Sequence, residues 1–303
     1  MRAVSFARLR AICWGSCKRA KNWLDDILYR IVVFLAGKGH RPHSTAKGGA
    51  LLHPNQVKAK LSRGEVVVGS FVYVPSAKLT ELVGLCGFDF VVIDQEHGPI
   101  TTETAEDMVR ACELVGCTPF ARVPYLYPHG ILHVLDVGAM GVHIPNVNTV
   151  EDARKAAALC RYAPRGNRGL AGVRAATYGL REKLSDYCRT ANEEVMVIAH
   201  IEDIEAIHNL DQLLSVEGID VYYIGPVDLS NSLGRPGTLD AELKKTVDDA
   251  ITAIVRAGKV AGIISTDPDA ARRYVSMGVR YLATHAIHFM AAGSRSFLKA
   301  VKE

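Results

Sequence analysis

From Glu65 to the C-terminus, short apolar, β-branched runs alternate with segments whose apolar positions recur at helical spacing. The runs cover residues 66–74, 90–93, 118–122, 141–144, 195–201, 221–224, 260–264 and 281–283. Helix-like stretches fall between them, among them 103–115, 150–162, 204–214, 239–257 and 268–277. Such alternation predicts an α/β chain with a parallel sheet. The runs are nearly continuous in apolar character rather than alternating, so both faces of the sheet are covered. Eight strand candidates in 239 residues suit an eight-fold barrel, which uses about 250 residues. An open doubly wound sheet is the rival, but no GxGxxG or GxxxxGK[ST] fingerprint follows any strand. The expected architecture is therefore a single (β/α)8 TIM barrel over residues 51–303.

The first fifty residues differ from the rest. They hold ten Lys or Arg against only Asp25 and Asp26, whereas the remaining chain has 26 basic and 30 acidic residues. The overall net charge of +4 thus hides a mildly acidic body, which is poor material for a nucleic-acid binder. The Arg-rich, acid-poor start resembles an organelle-targeting peptide. The apolar run 27–37 is too short to span a bilayer and suits an interfacial helix, so a weak membrane contact through residues 1–37 is one expectation. A disordered extension without a role is another. The protein is expected to be cytoplasmic, or mitochondrial if residues 1–50 act as a transit peptide. Seven cysteines, odd in number and scattered, form neither paired CxxC motifs nor a secreted disulfide framework.

In an eight-fold barrel, chemistry gathers where the strands end and the βα loops begin. Asp94-Gln95-Glu96-His97-Gly98-Pro99 follows the second run, Arg122 ends the third, His200 and Glu202 close the fifth, and Asp228 follows the sixth. Glu202 and Asp228 come from consecutive strands. Two carboxylates without thiolates suit a hard divalent cation such as Mg²⁺ or Mn²⁺, with Co²⁺ as a further candidate. Such a cation would leave positions open for a 2-oxo acid and offset the charge of an enolate. Arg122 would clamp a carboxylate or an enolate oxygen. An imidazole suits proton transfer near neutral pH, which makes His97 the acid–base candidate, with Asp94 orienting it. Each residue also has a plain structural explanation: Asp228 as a helix cap, Glu202 as a loop-arginine partner, Arg122 in a salt bridge, His97 as an ordinary loop histidine. A Schiff-base mechanism lacks a candidate, because the one lysine beside a strand, Lys259, precedes the seventh run.

Phe90-Val-Val-Ile-Asp-Gln-Glu-His-Gly-Pro99, Phe120-Ala-Arg-Val-Pro124, Leu135-Asp-Val-Gly-Ala139, Ile201-Glu-Asp203 and Ile224-Gly-Pro-Val-Asp-Leu-Ser230 occur in this order. The series resembles the HpcH/HpaI aldolases, metal-dependent class II pyruvate aldolases, over roughly residues 55–300. The resemblance implies a barrel of the phosphoenolpyruvate/pyruvate-binding type that cleaves 4-hydroxy-2-oxo acids to pyruvate and an aldehyde through a metal-stabilised enolate. It implies Glu202 and Asp228 as metal ligands, Arg122 as the enolate-stabilising residue, and His97, assisted by Asp94, as the acid–base group. Asp136 matches an aspartate that reaches a neighbouring subunit's site, and the family implies a homohexamer with the last helix packed on another subunit. This sequence departs from the family at Gln95, His200 and Val227, and His143 stands where apolar residues are common. Those departures bear on the acceptor. Relatives such as macrophomate synthase use the same enolate differently, which makes an oxaloacetate decarboxylase or a macrophomate-synthase-like enzyme the alternative. A degenerate barrel serving as a membrane-associated binding module is the non-enzymatic one.

Overall fold

A computed structural model describes residues 54–303. The expectations placed on residues 1–50 (targeting, interfacial helix, weak membrane contact) lie outside the described residues. Helix α1 (Gln56–Ser62) precedes eight parallel strands that pair in chain order and close into a barrel, β1 (Val67–Val72), β2 (Phe90–Asp94), β3 (Thr118–Arg122), β4 (Gly141–Ile144), β5 (Met196–Ile201), β6 (Val221–Ile224), β7 (Ala261–Ile264) and β8 (Tyr281–His285). Closure comes from β1 pairing with β8, with Val67 opposite Tyr281 and Phe71 opposite His285. The eight-fold barrel expected from the sequence is thus present. Among the described residues no helix is long and apolar enough to cross a membrane.

The strand runs are apolar on both faces because each face meets a different core. Outward residues such as Val91, Ile93, Val142, Val197 and Ile224 pack against the surrounding helices. Inward residues such as Phe90, Val92, Phe120, Ile198 and Val221 fill the barrel. Helix α1 closes the end where the strands begin. Its Val57 is buried in the interior cluster, and Asn55 anchors it by donating to the carbonyls of Met140 and Glu194.

The helices follow from local signals. In Ala241–Arg256, the buried residues Leu243, Val247, Ala250, Ile251 and Ile254 make one stripe at helical spacing. Asp240 caps its N-terminus by accepting from the Leu243 N–H. Other helices pass beneath periodicity. Ala77–Leu85, Pro128–Asp136 and Leu184–Glu194 bury few positions each, so their apolar stripes are weak. The single segment expected over 204–214 is two short helices, Ile204–His208 and Leu210–Leu214, because Asn209 leaves helical geometry between them (φ −94°, ψ 4°). Strand β8 runs two residues beyond the apolar run and carries His285 to the mouth.

Candidate active site

Asp94 and Arg122 are the last residues of adjacent strands and stand in register opposite each other. Arg122 donates from Nε to Asp94 Oδ1 at 2.8 Å and from Nη2 to Oδ2 at 2.6 Å. Its Nη1 reaches Glu96 Oε2 at 2.9 Å. The guanidinium also lies over the Phe71 ring, 4.8 Å from its centroid, so apolar contact backs the polar fork. Burial alone would raise the Asp94 pKa, but the Arg122 hydrogen bonds and charge, with the N–H groups of His97 and Glu96, outweigh it and hold Asp94 below its usual value. Burial pushes Glu96 up to about 7; Arg122 opposes this and the negative charge of Glu202 adds to it.

The loop after β2 folds back over the end of β1 through Gly98. A Cβ there would stand 2.5 Å from the Asp94 carbonyl oxygen and 2.6 Å from that of Tyr73, so only glycine allows the approach. His97, beside it, is exposed, and its backbone N–H rather than its ring contacts Asp94 at 3.4 Å. Asp94 therefore shapes the loop that carries His97 and fixes Arg122; the expected contact that would orient the His97 ring is absent among the described hydrogen bonds.

Glu202 lies just past β5, 5% exposed. Its Oε1 accepts from the Asn146 N–H at 2.9 Å, and Oε2 pairs with His200 Nδ1 at 3.1 Å. Asn146 presents that N–H from a left-handed conformation (φ 52°), which asparagine tolerates better than most residues. Burial would raise the Glu202 pKa, but His200, the Asn146 N–H and the charge of Arg122 together lower it. Asp228 sits in the first turn of Pro226–Ser232, whose N-cap is Gly225 with no capping side chain, so Asp228 is not the helix cap. Val227 beside it is exposed.

Gly225 brings the two acids together. A Cβ built on it would lie 3.0 Å from Oε2 of Glu202 and 3.6 Å from Oδ2 of Asp228. Both carboxylates thus converge on one side of a residue with no side chain, a cradle that a methyl group would fill. Two hard oxygen donors with room between them fit a divalent cation of the Mg²⁺ or Mn²⁺ class. Among the described residues no group of three or more His, Cys, Asp or Glu is arranged to hold a metal, so such a site is a two-carboxylate one with other positions left to substrate or water.

Asp136 lies apart from this set. It ends the helix Pro128–Asp136, shortly before β4 begins, and pairs with buried Arg168 at 2.9 Å. Helices run antiparallel to the strands, so this is the barrel end opposite the strand ends. His143 and His200 point into the barrel and bond to each other. Gln95 donates to the Ile100 carbonyl and braces the β2 loop. Three groups near the mouth were not singled out from the sequence: Glu96, the Asn146 backbone and His285, whose pKa is lowered by burial and then by Arg122.

A family model described as HpcH/HpaI aldolase/citrate lyase matches residues 68–287. The 2-keto-3-deoxy-L-rhamnonate aldolase of Escherichia coli (strain K12) is 35% identical over 237 residues, covering 76% of this chain and 86% of its own. The hydroxypyruvate/pyruvate aldolase of Agrobacterium fabrum is 34% identical over 233 residues, covering 77% of this chain and 87% of its own. Among solved structures, an HpcH/HpaI aldolase/citrate lyase family protein from Burkholderia cenocepacia J2315 matches with a TM-score of 0.78 and 30% identity, covering 82% of this chain and all of that one. The matched span begins in β1 and ends just past β8, so it takes in the whole barrel and every residue of the mouth: this chain belongs to the HpcH/HpaI aldolase/citrate lyase family.

Proposed function

We propose that this protein is a divalent-metal-dependent carbon–carbon lyase that cleaves 4-hydroxy-2-oxo acids to pyruvate and an aldehyde through a pyruvate enolate. It acts on small molecules, as its aldolase relatives do. The observation that carries the reading is the convergence of Glu202 and Asp228 over Gly225, with Arg122 near enough for its charge to lower the Glu202 pKa. A divalent cation held by these two acids would supply positive charge that polarises the substrate 2-oxo group.

The chain's own residues do the rest. Asp94 accepts from two of the five N–H donors of Arg122 and Glu96 pairs with its Nη1 by charge, which leaves donors for a substrate carboxylate or the developing enolate oxygen. Because both partners hold the guanidinium before substrate arrives, little ordering remains to be done in the transition state. His97, exposed at the mouth on a loop pinned by Gly98 and Asp94, takes the proton from the 4-hydroxyl during cleavage and returns one to the enolate carbon. Glu96, near neutrality in its titration, stands between this loop and Arg122.

The functional unit is a homo-oligomer, a hexamer by family resemblance, assembled through the last helix (Ala286–Lys302). That helix has no buried residue in the single chain, yet presents Phe289, Met290, Phe297, Leu298 and Val301 to solvent. Asp136 meets a neighbouring subunit's site only in that assembly.

Pyruvate release from a 4-hydroxy-2-oxo acid, followed with and without chelator, tests the function. EDTA should abolish release and Mn²⁺ should restore it, while Glu202→Gln should stay inactive under both conditions. Release that is indifferent to chelator would show the cation assignment to be wrong. Faster loss of oxaloacetate than of any aldol substrate would point to the decarboxylase instead.

A further inference from the structure

Four buried side chains form one hydrogen-bonded line across the barrel interior. Tyr281 Oη on β8 lies 2.8 Å from His143 Nε2 on β4, and His143 Nδ1 lies 3.0 Å from His200 Nε2 on β5. His200 Nδ1 then meets Glu202 Oε2 at 3.1 Å. Tyr281 and His143 are fully buried, and His200 and Glu202 nearly so. The rings are held by their packing: Tyr223 lies 4.9 Å from His200, and Phe71 lies 5.5 Å from His143, centroid to centroid.

The polarity of the line follows from its last member. An ionised carboxylate only accepts, so His200 Nδ1 carries the proton. A neutral His200 then accepts at Nε2, which requires the proton of His143 on Nδ1. His143 in turn accepts at Nε2, and the Tyr281 hydroxyl donates. Each tautomer is fixed by its neighbour, and no donor faces a donor. Burial, the largest influence on His143, holds its pKa well below the ordinary value, so the ring stays neutral.

We propose that Tyr281 and His143 are positioning residues that act through His200 to hold Glu202 in the orientation needed to bind a divalent cation. The proposal rests on the reading of Glu202 as a cation ligand. With Oε2 held by His200 and Oε1 by the Asn146 N–H, the carboxylate plane has no freedom to turn away from Asp228. Outer partners of this kind typically change metal affinity by 10- to 100-fold when removed. An interior needed only for stability would be served by apolar side chains without three polar groups to satisfy.

The test is Mn²⁺ binding to the metal-free, full-length protein, measured by calorimetry without substrate. Tyr281→Phe and His143→Leu should each raise the Mn²⁺ dissociation constant about tenfold. Tyr223→Phe, which removes a buried interior hydroxyl that has no partner among the described residues, should leave it unchanged. In a His200→Leu background, which cuts the line, Tyr281→Phe should have no further effect on the constant. Tyr281→Phe keeps the ring and its packing, so it carries the test if His143→Leu fails to fold. Lower thermal stability with wild-type Mn²⁺ affinity in Tyr281→Phe would reduce the line to a core element and overturn the proposal. Additive effects in the His200→Leu background would do the same. A wild-type protein that binds no Mn²⁺ would overturn the cation reading itself, an outcome distinct from binding that is merely insensitive to Tyr281.

Discussion

Arg122 and Asp94 face each other across adjacent strand ends in a two-point contact, Nε to Oδ1 at 2.8 Å and Nη2 to Oδ2 at 2.6 Å, with Asp94 fully buried. Only a planar fork makes both contacts and still reaches Glu96. Lysine is a point charge and would serve one partner at a time. Arg122→Lys should therefore lower kcat by about 100-fold or more, the scale seen when one preorganised donor to a developing oxyanion is lost. Asp94→Asn would leave Arg122 buried with Glu96 as its remaining ionic partner, and should cost about 3 kcal/mol of stability. Steady-state pyruvate release and urea unfolding check the two outcomes separately.

Gly225 offers a steric probe of the carboxylate pair. Its φ of −104° is open to any residue, so alanine brings no backbone strain. The added methyl would press on Cβ and Oε2 of Glu202 at 3.0 Å, closer than ordinary contact. Gly225→Ala should weaken cation binding by about tenfold, in line with other changes to ligand orientation. Far-ultraviolet circular dichroism should stay unchanged while cleavage needs more Mn²⁺ to saturate. Unaltered Mn²⁺ dependence would mean that the cation lies elsewhere.

The barrel was legible in the sequence because its strands are buried on both faces, and most therefore show as nearly continuous apolar runs. The strand-end residues were legible for a related reason: polar groups such as Asp94, Arg122, Glu202 and Asp228 follow directly on those runs. What the sequence hid depends on contacts between distant strands. His143 and Tyr281 are 138 residues apart, and nothing local to either predicts their bond. Glu202 takes one of its hydrogen bonds from the Asn146 backbone, which has no side-chain signature. Glu96 is indistinguishable from its neighbours in the Asp94–His97 loop until Arg122 is seen to bind it. Helix Ala77–Leu85 buries only Thr80 and Val83, too few positions to show a stripe in the sequence.

His143 gives the folded protein a pH dependence with a definite sign. Its folded-state pKa lies well below the ordinary value, through burial first and then the nearby His200 and Arg122. Tyr281, Tyr223, Phe71 and Phe120 enclose the remainder of the ring. Below about pH 6.5 the unfolded chain binds a proton that the folded one refuses. Stability from this group is thus complete above the unfolded-state value and lost as pH falls from there toward the folded-state value. The expected slope is about 1.4 kcal/mol per pH unit. Glu96, pushed up to about 7 by burial, acts with the opposite sign over this window, so His143 is read from a difference: in urea unfolding between pH 7.5 and 5 the wild type should lose stability toward acid more steeply than His143→Leu, whose overall stability is lower. Equal slopes would assign the acid sensitivity to other groups.

The exposed apolar face of the last helix carries the final prediction. Phe297 is 68% and Leu298 48% exposed, whereas Phe289 leans on Phe88 with ring centroids 6.1 Å apart. Phe297 and Leu298 are therefore the residues to change, since neither is buried within its own chain. A wide apolar face on an outer helix is costly to leave in water and marks a contact between proteins. Phe297→Glu with Leu298→Glu should reduce the mass measured by sedimentation from an oligomer toward one chain, without lowering the helix content of the barrel. Charge repulsion across a symmetric interface acts on every copy at once, so two substitutions suffice. The dissociated protein should retain Mn²⁺ binding, because Glu202, Asp228 and the line from Tyr281 all lie within one chain. Its turnover should fall if Asp136 works at a neighbouring mouth, and a fully active single chain would remove Asp136 from the catalytic set.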